Sequence, residues 1–215
     1  HKAVLRLMGK LGIRSQARKP KMYKKLEQIG TYHRYPNVLN RDFIATKPNQ
    51  KWVTDVTYIR TLQGWGYLST IKDLYDGFIV AHVFDQTNSI ALVTQTLKRA
   101  KQKEKVTDGL VLHSDQGTQY TSQAYHVLTA EYNITPSMSR RGNCWDNAPM
   151  ESFFGTLKTE RLYHYRFTTR EQARQVVFEY IEVFYNRIRR HAKIGNQIPT
   201  DFAHQFYVSR QQPAA

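Results

Sequence analysis

The chain has 215 residues and a formal net charge of +15 at pH 7, and 40% of its residues are hydrophobic. This length is enough for one core of about 100–200 residues with an additional segment. No apolar run approaches the roughly 20 residues that cross a bilayer, and no secretory signal peptide is visible. The single cysteine, Cys144, excludes an internal disulfide framework and a cysteine-based zinc site, and it favours a reducing cytoplasm.

The basic residues are concentrated near the N-terminus. Residues 1–41 contain eleven Lys or Arg and one acid, a net charge of +10, whereas residues 42–215 contain 21 basic and 16 acidic residues, a net charge of +5. Such an arm favours nucleic acid, because each neutralised phosphate releases counterions. A solvated tail and binding to anionic lipid are the alternatives, although no strongly amphipathic lipid-facing segment is present. The arm residues expected to contact nucleic acid are Arg18, Lys19, Lys21, Lys24 and Lys25.

The first fifty residues divide into two segments. Residues 1–13 have apolar side chains at near-helical spacing that stop at Gly12, which predicts the end of a small helical module. Whether this helix recognises DNA or packs against protein stays open. Residues 14–49 lack a sustained period and are interpreted as a basic linker that follows DNA or another subunit. Because the sequence starts at His1, we interpret it as part of a longer protein.

Beyond Gln50 strands and helices alternate. Strands are predicted at 51–59, 67–76, 78–85, 109–115 and 134–138. Helices are predicted at 88–105, 122–132, 149–162 and 169–190. The first of these helices has an expected buried stripe of Ile90, Leu92, Val93 and Leu97. Two tight turns between the first three strands favour an antiparallel meander. The order predicts an α/β fold of the ribonuclease-H-like kind, a mixed five-stranded sheet flanked by helices, with a catalytic core at 50–166 and a C-terminal helix and tail at 167–215.

Three acidic residues occupy positions that are typical of metal sites. Asp55 lies inside a predicted strand, where an uncompensated charge is costly. Asp115 ends an apolar strand, and Glu151 lies at a helix start just after Pro149. Carboxylates from separate elements can converge on hard cations such as Mg²⁺, and two such ions about 3.5–4 Å apart can promote in-line phosphoryl displacement. One acid alone establishes little, because a buried Asp is more often a structural hydrogen-bonding residue.

The strings around these acids carry a family resemblance. They are WVTDVTYI (52–59), HSDQGTQY (113–120) and RRGNCWDNAPMESFFGTLKTE (140–160), with 35 residues between Asp115 and Glu151. The chain thus resembles the D, D-35-E core of retroviral-integrase-like transposases. It is most similar to the bacterial copy-out, paste-in transposases of insertion-sequence family three, specifically their downstream-frame product. The resemblance covers about residues 42–203, including a tail string at 185–202.

The resemblance implies a DDE transposase whose catalytic residues and metal ligands are Asp55, Asp115 and Glu151. It implies Mg²⁺ or Mn²⁺, two ions per active site, and cleavage at the transposon end that leaves a 3′-OH, followed by strand transfer through direct transesterification. The implied partners are double-stranded DNA, as terminal inverted repeats and target, and further copies of the chain in a dimeric or larger synaptic complex at the bacterial nucleoid. A nuclease that only hydrolyses and a non-catalytic DNA-binding remnant are the alternatives.

The resemblance and the helical spacing also assign residues around Glu151. Lys158 lies seven positions later on the same helix face and is expected to hold a DNA phosphate. Asn147, four positions earlier, is expected to contact DNA from the same side. A solvated helix lysine is the alternative for Lys158.

The remaining candidates flank Asp115 or precede the helix of Glu151. His113 and Gln119 are expected to support the metal ligands, with a structural role as the alternative. Arg140 and Arg141 lie in the preceding loop and are expected to contact DNA. Trp145 is interpreted as a core residue rather than a platform for a base.

Overall fold

The computed structural model describes residues 2–12, 32–104, 106 and 109–211. Its strands are β1 (Lys51–Thr61), β2 (Gly64–Asp73), β3 (Ile79–Asp85), β4 (Val111–Ser114) and β5 (Thr135–Met138). Its α-helices are α1 (Lys2–Lys10), α2 (Ile90–Lys103), α3 (Gln123–Glu131), α4 (Ala148–Glu160), α5 (Arg170–Phe178) and α6 (Pro199–Gln211). All five predicted strands are confirmed, with shifts of a few residues at their ends. The arm residues expected to contact nucleic acid lie outside the described residues: Arg18, Lys19, Lys21, Lys24 and Lys25.

The strands form one mixed sheet in the order β3-β2-β1-β4-β5. The first three strands are antiparallel neighbours, which confirms the predicted meander, and β4 is parallel to both β1 and β5. Only Lys51–Val53 of β1 is paired with β4, and the last aligned pair is Val53 with His113. The two strands therefore separate beyond this pair. In open α/β sheets a crevice beyond the carboxyl ends of strands is the usual place for a site.

A separate apolar core covers each face of the sheet. On one face Val53 and Leu68 pack with Phe153 and Leu157 of α4 and with α5. On the other, Trp52 and Ile71 contribute to a core with α2 and α3. Each fully buried large apolar side chain stabilises the fold by about 1.5–3 kcal/mol. Because α4 buries its apolar side chains in the first core, its position on the sheet is fixed while Glu151 stays exposed.

Helix α2 begins directly after its N-cap residue, Ser89. The hydroxyl oxygen of Ser89 accepts a hydrogen bond from the backbone N–H of Leu92 at 3.3 Å. Leu92, Val93 and Leu97 are buried as expected, but the expectation for Ile90 was wrong, since 43% of it is exposed. Ile90 is the first residue of the helix and lies beyond the edge of the core. The buried stripe instead continues through Ala100.

The residues just before β1 pack along the core. Leu39 is buried, and its backbone N–H donates to the hydroxyl of Ser137 in β5 at 3.0 Å. The ammonium of Lys51 donates to the carboxylate of Asp42 and to the carbonyl of Ile44, both at 2.7 Å. This part of the predicted linker is therefore attached to both halves of the sheet.

Two apolar side chains of helix α1 are exposed to solvent. Val4 is 61% exposed and Leu7 is 62% exposed. The described structure thus leaves both interpretations of this helix open, DNA recognition and packing against protein. Across the described part of the chain, none of the helices combines the length and the apolar character that crossing a membrane requires.

A C-terminal residue, Asn186, is bonded to the start of the edge strand β3. The sequence predicted one helix over 169–190, whereas α5 passes into wider π-helical turns at Glu179–Tyr185 and ends there. The next residue, Asn186, is fully buried and exchanges two hydrogen bonds with the backbone of Ile79 in β3. Its amide nitrogen donates to the carbonyl at 3.1 Å, and its amide oxygen accepts from the N–H at 2.9 Å. One side chain therefore occupies the place that a neighbouring strand would take.

Candidate active site

Asp55 lies midway along β1, just beyond the point where β4 leaves it. Its carboxylate accepts a hydrogen bond from the backbone N–H of Val56 at 2.7 Å. Burial above all, and the negative charges of Asp115 and Glu151, raise the pKa of Asp55 to about 7, although the N–H of Val56 and the charge of Lys158 lower it. Since charges act on one another in this way only over short distances, the three carboxylates and the lysine share one region.

Asp115 directly follows β4. Its Oδ1 accepts a hydrogen bond from the backbone N–H of Gly117 at 2.9 Å. Desolvation of this carboxyl raises its pKa, and the bond from Gly117 partly offsets that effect. A Cβ added at Gly117 would lie only 2.9 Å from the same oxygen. A side chain at position 117 would therefore displace the carboxylate of Asp115.

Asn147 ties the start of α4 to β1. Its amide nitrogen donates to the carbonyl of Thr54 at 3.2 Å, so the bond falls one residue before Asp55. The side chain of Asn147 is buried, so it is not open to DNA as the sequence suggested. Its position one helical turn before Glu151 instead lets it bond to β1. The link fixes the helix start that carries Glu151 against the strand that carries Asp55.

The donor chemistry of this region fits a hard cation. Three carboxylates supply only oxygen ligands, which Mg²⁺ and Mn²⁺ prefer. The raised pKa of Asp55 reflects the cost of gathering these charges without a counter-ion. Among the described residues, no three His, Cys, Asp or Glu side chains converge closely enough to hold a metal ion as they stand. The carboxylates are thus neighbours without forming a closed cage.

Lys158 lies between the carboxylates and an aromatic pair. Its ammonium is 5.3 Å from the ring centroid of Tyr58, and its charge acts on Asp55. Tyr58 in turn meets Trp65 edge to face, with ring centroids 5.2 Å apart. The cation expected beside the acids therefore lies next to Asp55 and to an exposed aromatic ring.

His113 and Gln119 have partners other than the three carboxylates. His113 is fully buried, and its two ring nitrogens pair with the hydroxyls of Ser137 and Ser139 at 2.8 and 3.0 Å. Burial lowers the pKa of His113 to about 4, so the ring is neutral at pH 7. The amide nitrogen of Gln119 donates to the carbonyl of Asn88 at 3.1 Å. Both residues hold the surrounding chain rather than the acids themselves.

Asp146 is a charged centre that the sequence interpretation missed. It is fully buried, and Arg140 donates to it with two guanidinium N–H groups at 2.9 and 2.7 Å and with its backbone N–H at 2.9 Å. Arg41 adds a bond of 2.7 Å. The hydrogen bonds from Arg140, above all, hold the pKa of Asp146 well below its usual range. Arg140 is thus committed to Asp146, whereas the exposed Arg141 has no hydrogen bond or ion pair with any described residue.

Trp145 was expected to pack in the core, and that expectation was wrong. Its side chain is 67% exposed in the short 3-10 turn Cys144–Asn147. Asp146 and Asn147 are buried and anchor this turn, so the side chain of the preceding residue, Trp145, points into solvent.

Known proteins are similar to this chain both in sequence and in fold. The family described as Integrase core domain matches residues 45–144, and a second family with the same description matches residues 132–199. Over 201 residues the chain is 39% identical to the transposase for insertion sequence element IS904 of Lactococcus lactis, a match that covers 94% of this chain and 79% of that protein. The chain belongs to the insertion-sequence transposases.

Two further relatives of this transposase are longer than the matched region. The insertion element IS600 uncharacterized 31 kDa protein of Shigella sonnei is 47% identical over 80% of this chain and 63% of its own length. The transposase InsF for insertion sequence IS3A of Escherichia coli is 40% identical over 77% of this chain and 58% of its own length. The chain therefore spans about three fifths of these two relatives.

The fold of this transposase is that of retroviral integrase cores. The simian T-cell lymphotropic virus intasome in complex with PP2A regulatory subunit B56 gamma matches with a TM-score of 0.64 and 16% identity, over 87% of this chain and 62% of that one. The HTLV-2 integrase catalytic core domain in complex with magnesium matches with a TM-score of 0.58 and 15% identity, over 75% of this chain and all of that one. The predicted ribonuclease-H-like fold is confirmed.

Proposed function

We propose that this chain cleaves DNA at the ends of an insertion element, leaving a 3′-OH, and joins that 3′-OH to another phosphodiester by direct transesterification. One observation carries the proposal. In a chain of the transposase family, Asp55, Asp115 and Glu151 come from three separate elements, and the charges of Asp115 and Glu151 both act on Asp55 where β1 and β4 separate.

In this proposal the three carboxylates hold Mg²⁺ or Mn²⁺, with two ions in each active site. Bound ions would supply activation of the attacking oxygen and stabilisation of the leaving oxygen in an in-line displacement. The raised pKa of Asp55 supports the assignment, because carboxylates gathered without a counter-ion repel one another. The open arrangement of the acids fits a site that closes when DNA and metal are both present.

The chain's own residues position this chemistry. The backbone N–H of Gly117 orients the carboxylate of Asp115, and Asn147 holds the start of α4 against β1. Lys158, beside Asp55, holds a DNA phosphate at the reacting end through its charge. Arg141 is exposed and contacts the DNA backbone further away.

The proposed partners are double-stranded DNA and further copies of this chain. Terminal repeats and target DNA both contact the protein, and the basic N-terminal segment adds sequence-independent affinity through phosphates. Pairing two element ends requires at least two copies, and the structural match within a viral intasome supports an assembly of that kind. We place the end of a helical, helix-turn-helix-like DNA-binding module at 1–13, a basic linker at 14–49, the catalytic core at 50–166 and a C-terminal helix and tail at 167–215. The protein acts at the bacterial nucleoid.

A strand-transfer assay with a pre-cut element end tests the proposal. The full chain is incubated with the DNA in Mg²⁺ or Mn²⁺, with a chelator as the control. Joined product that needs the metal is the expected result. Fragments without joined product would identify a nuclease that only hydrolyses, and binding without any turnover would identify a DNA-binding remnant.

A further inference from the structure

Two exposed aromatic rings lie side by side on the β1–β2 hairpin. Tyr58 is 60% exposed and Trp65 is 45% exposed, and their rings meet edge to face at 88°. The guanidinium of Arg60 lies 5.9 Å from the Trp65 ring centroid, and the ammonium of Lys158 lies 5.3 Å from that of Tyr58. These four residues are called the aromatic platform.

The hairpin itself places the platform on the surface. Side chains at positions 58 and 60 of β1 share one face of the strand, and Arg60 is the direct cross-strand partner of Trp65. Ile59, between Tyr58 and Arg60, faces the opposite way and is buried in the core. Packing in the core therefore accounts for the presence of Ile59, but it does not account for the two aromatic rings exposed to water. Neighbouring exposed apolar side chains are typical of interaction sites.

The platform borders the candidate active site. Tyr58 follows Asp55 by three residues on the same strand, roughly 10 Å along it, and by strand alternation its side chain leaves β1 on the opposite face. Lys158 connects the two features, because its ammonium lies over Tyr58 while its own helix, α4, carries Glu151 seven positions earlier on the same face. A DNA strand whose phosphate is held by Lys158 therefore passes directly beside the ring of Tyr58.

Aromatic rings flanked by cations are suited to unpaired nucleotides. A base stacks on the ring face while neighbouring cations bind the phosphates. A paired base is covered by its neighbours in the duplex, so only a base at an opened end can reach such a ring. We propose that the aromatic platform stacks an unpaired base of the DNA strand adjacent to the phosphate that is cut. The identity of the strand rests on the proposed function.

Tryptophan fluorescence tests the stacking directly. Among the three tryptophans of the chain, Trp52 is fully buried, so a Trp145→Phe variant leaves Trp65 as the solvent-accessible indole. The full-length variant is titrated without divalent metal, once with oligothymidylate of about twelve nucleotides and once with an abasic oligonucleotide carrying the same number of phosphates. Quenching by the first alone is expected. Equal quenching by both, or none, would overturn the proposal.

Affinity measurements on ring variants give an independent readout. Wild type is expected to bind the thymidylate about tenfold more tightly than the abasic chain, and Tyr58→Ala or Trp65→Ala removes most of that ratio. Tyr58→Phe retains it because the ring remains. Phe178→Ala removes a similarly exposed ring on α5 and also retains it. A ratio that is unchanged in both alanine variants contradicts the platform.

These experiments separate the platform from the proposed function, because neither needs metal or turnover. Base-dependent quenching in a protein that never joins DNA would support the platform and reject the transposase chemistry. Joined product from a protein without base-dependent quenching would support the transposase chemistry and reject the platform.

Discussion

Asp55 and Asp115 each lie two residues beyond Val53 and His113, the last aligned pair of the parallel strands β1 and β4. The strands part immediately after this pair, so the two carboxylates stand on opposite sides of the same opening. Helix α4 brings Glu151 to them through the bond between Asn147 and the residue before Asp55.

Removing one carboxylate charge is expected to abolish both chemical steps. Asp55→Asn, Asp115→Asn and Glu151→Gln each keep the size of the side chain but weaken its hold on a cation. Cleavage and joining should each fall by at least about 100-fold, while DNA affinity measured by gel shift changes little.

Matched substitutions elsewhere control for the chemical change itself. Asp201→Asn on α6 and Glu131→Gln on α3 alter exposed acids and should leave both reactions intact. Metal-dependent joining that survives in any one of the three site variants contradicts the assignment of that residue.

The charge of Asp55 should destabilise the metal-free protein as the pH rises. Its pKa is 3.8 in an ordinary environment and about 7 in the folded chain. Between these values the folded state retains a proton that the unfolded state has lost, so stability falls with increasing pH across this window. A shift of about three units corresponds to at most about 4 kcal/mol.

Comparison with Asp55→Asn isolates this effect from other buried acids. In a chelating buffer at pH 8 the variant should be roughly 2–4 kcal/mol more stable than wild type, and the two should converge near pH 4. Urea denaturation at several pH values measures the difference. A variant that is less stable than wild type at pH 8 would show that Asp55 is a structural residue.

A single methyl group at position 117 should impair activity without unfolding the chain. Gly117→Ala places a Cβ 2.9 Å from the Asp115 carboxylate and 3.2 Å from the side-chain oxygen of Gln119, so the carboxylate must move. Joining should fall by about tenfold, with a circular dichroism spectrum like that of wild type. Gly155→Ala on α4 meets no atom within 4 Å and serves as the control with full activity.

Substitution of Arg140 should lower thermal stability, whereas substitution of Arg141 should weaken DNA binding. Arg140→Ala removes the main partner of the buried Asp146 and should lower the melting temperature, and Asp146→Asn should lower it by roughly 5 °C. Arg141→Ala should leave the melting temperature unchanged and weaken DNA binding, with a smaller dependence on salt. Equal thermal effects of the two arginine variants would show that the bonds to Asp146 contribute little.

The sequence was sufficient to predict those elements whose structure depends on a local pattern of residues. Strand β1 follows from its β-branched and aromatic residues, and the break at Gly77 locates the turn into β3. Asp55 could be placed inside a strand for the same reason. The α2 cap at Ser89 also depends only on residues within one helical turn.

Long-range partners account for what the sequence did not reveal. The partners of Asp146 include Arg41, more than one hundred positions earlier, so no local pattern marks Asp146 as a charged centre. Asn147 has the spacing of a surface residue on the Glu151 face, yet its amide is taken by Thr54 of β1. The exposed Ile90 shows the same limit, since helical periodicity does not say where the core ends.

The bonds between Asn186 and Ile79 have a consequence for the behaviour of the chain in solution. An open strand edge can pair with the same edge of another molecule and begin an ordered aggregate. Here the amide of Asn186 mimics a strand for one residue and blocks that pairing at β3. Loss of this one amide would leave the N–H and the carbonyl of Ile79 free to pair with another molecule, in a chain whose three candidate catalytic acids are all intact.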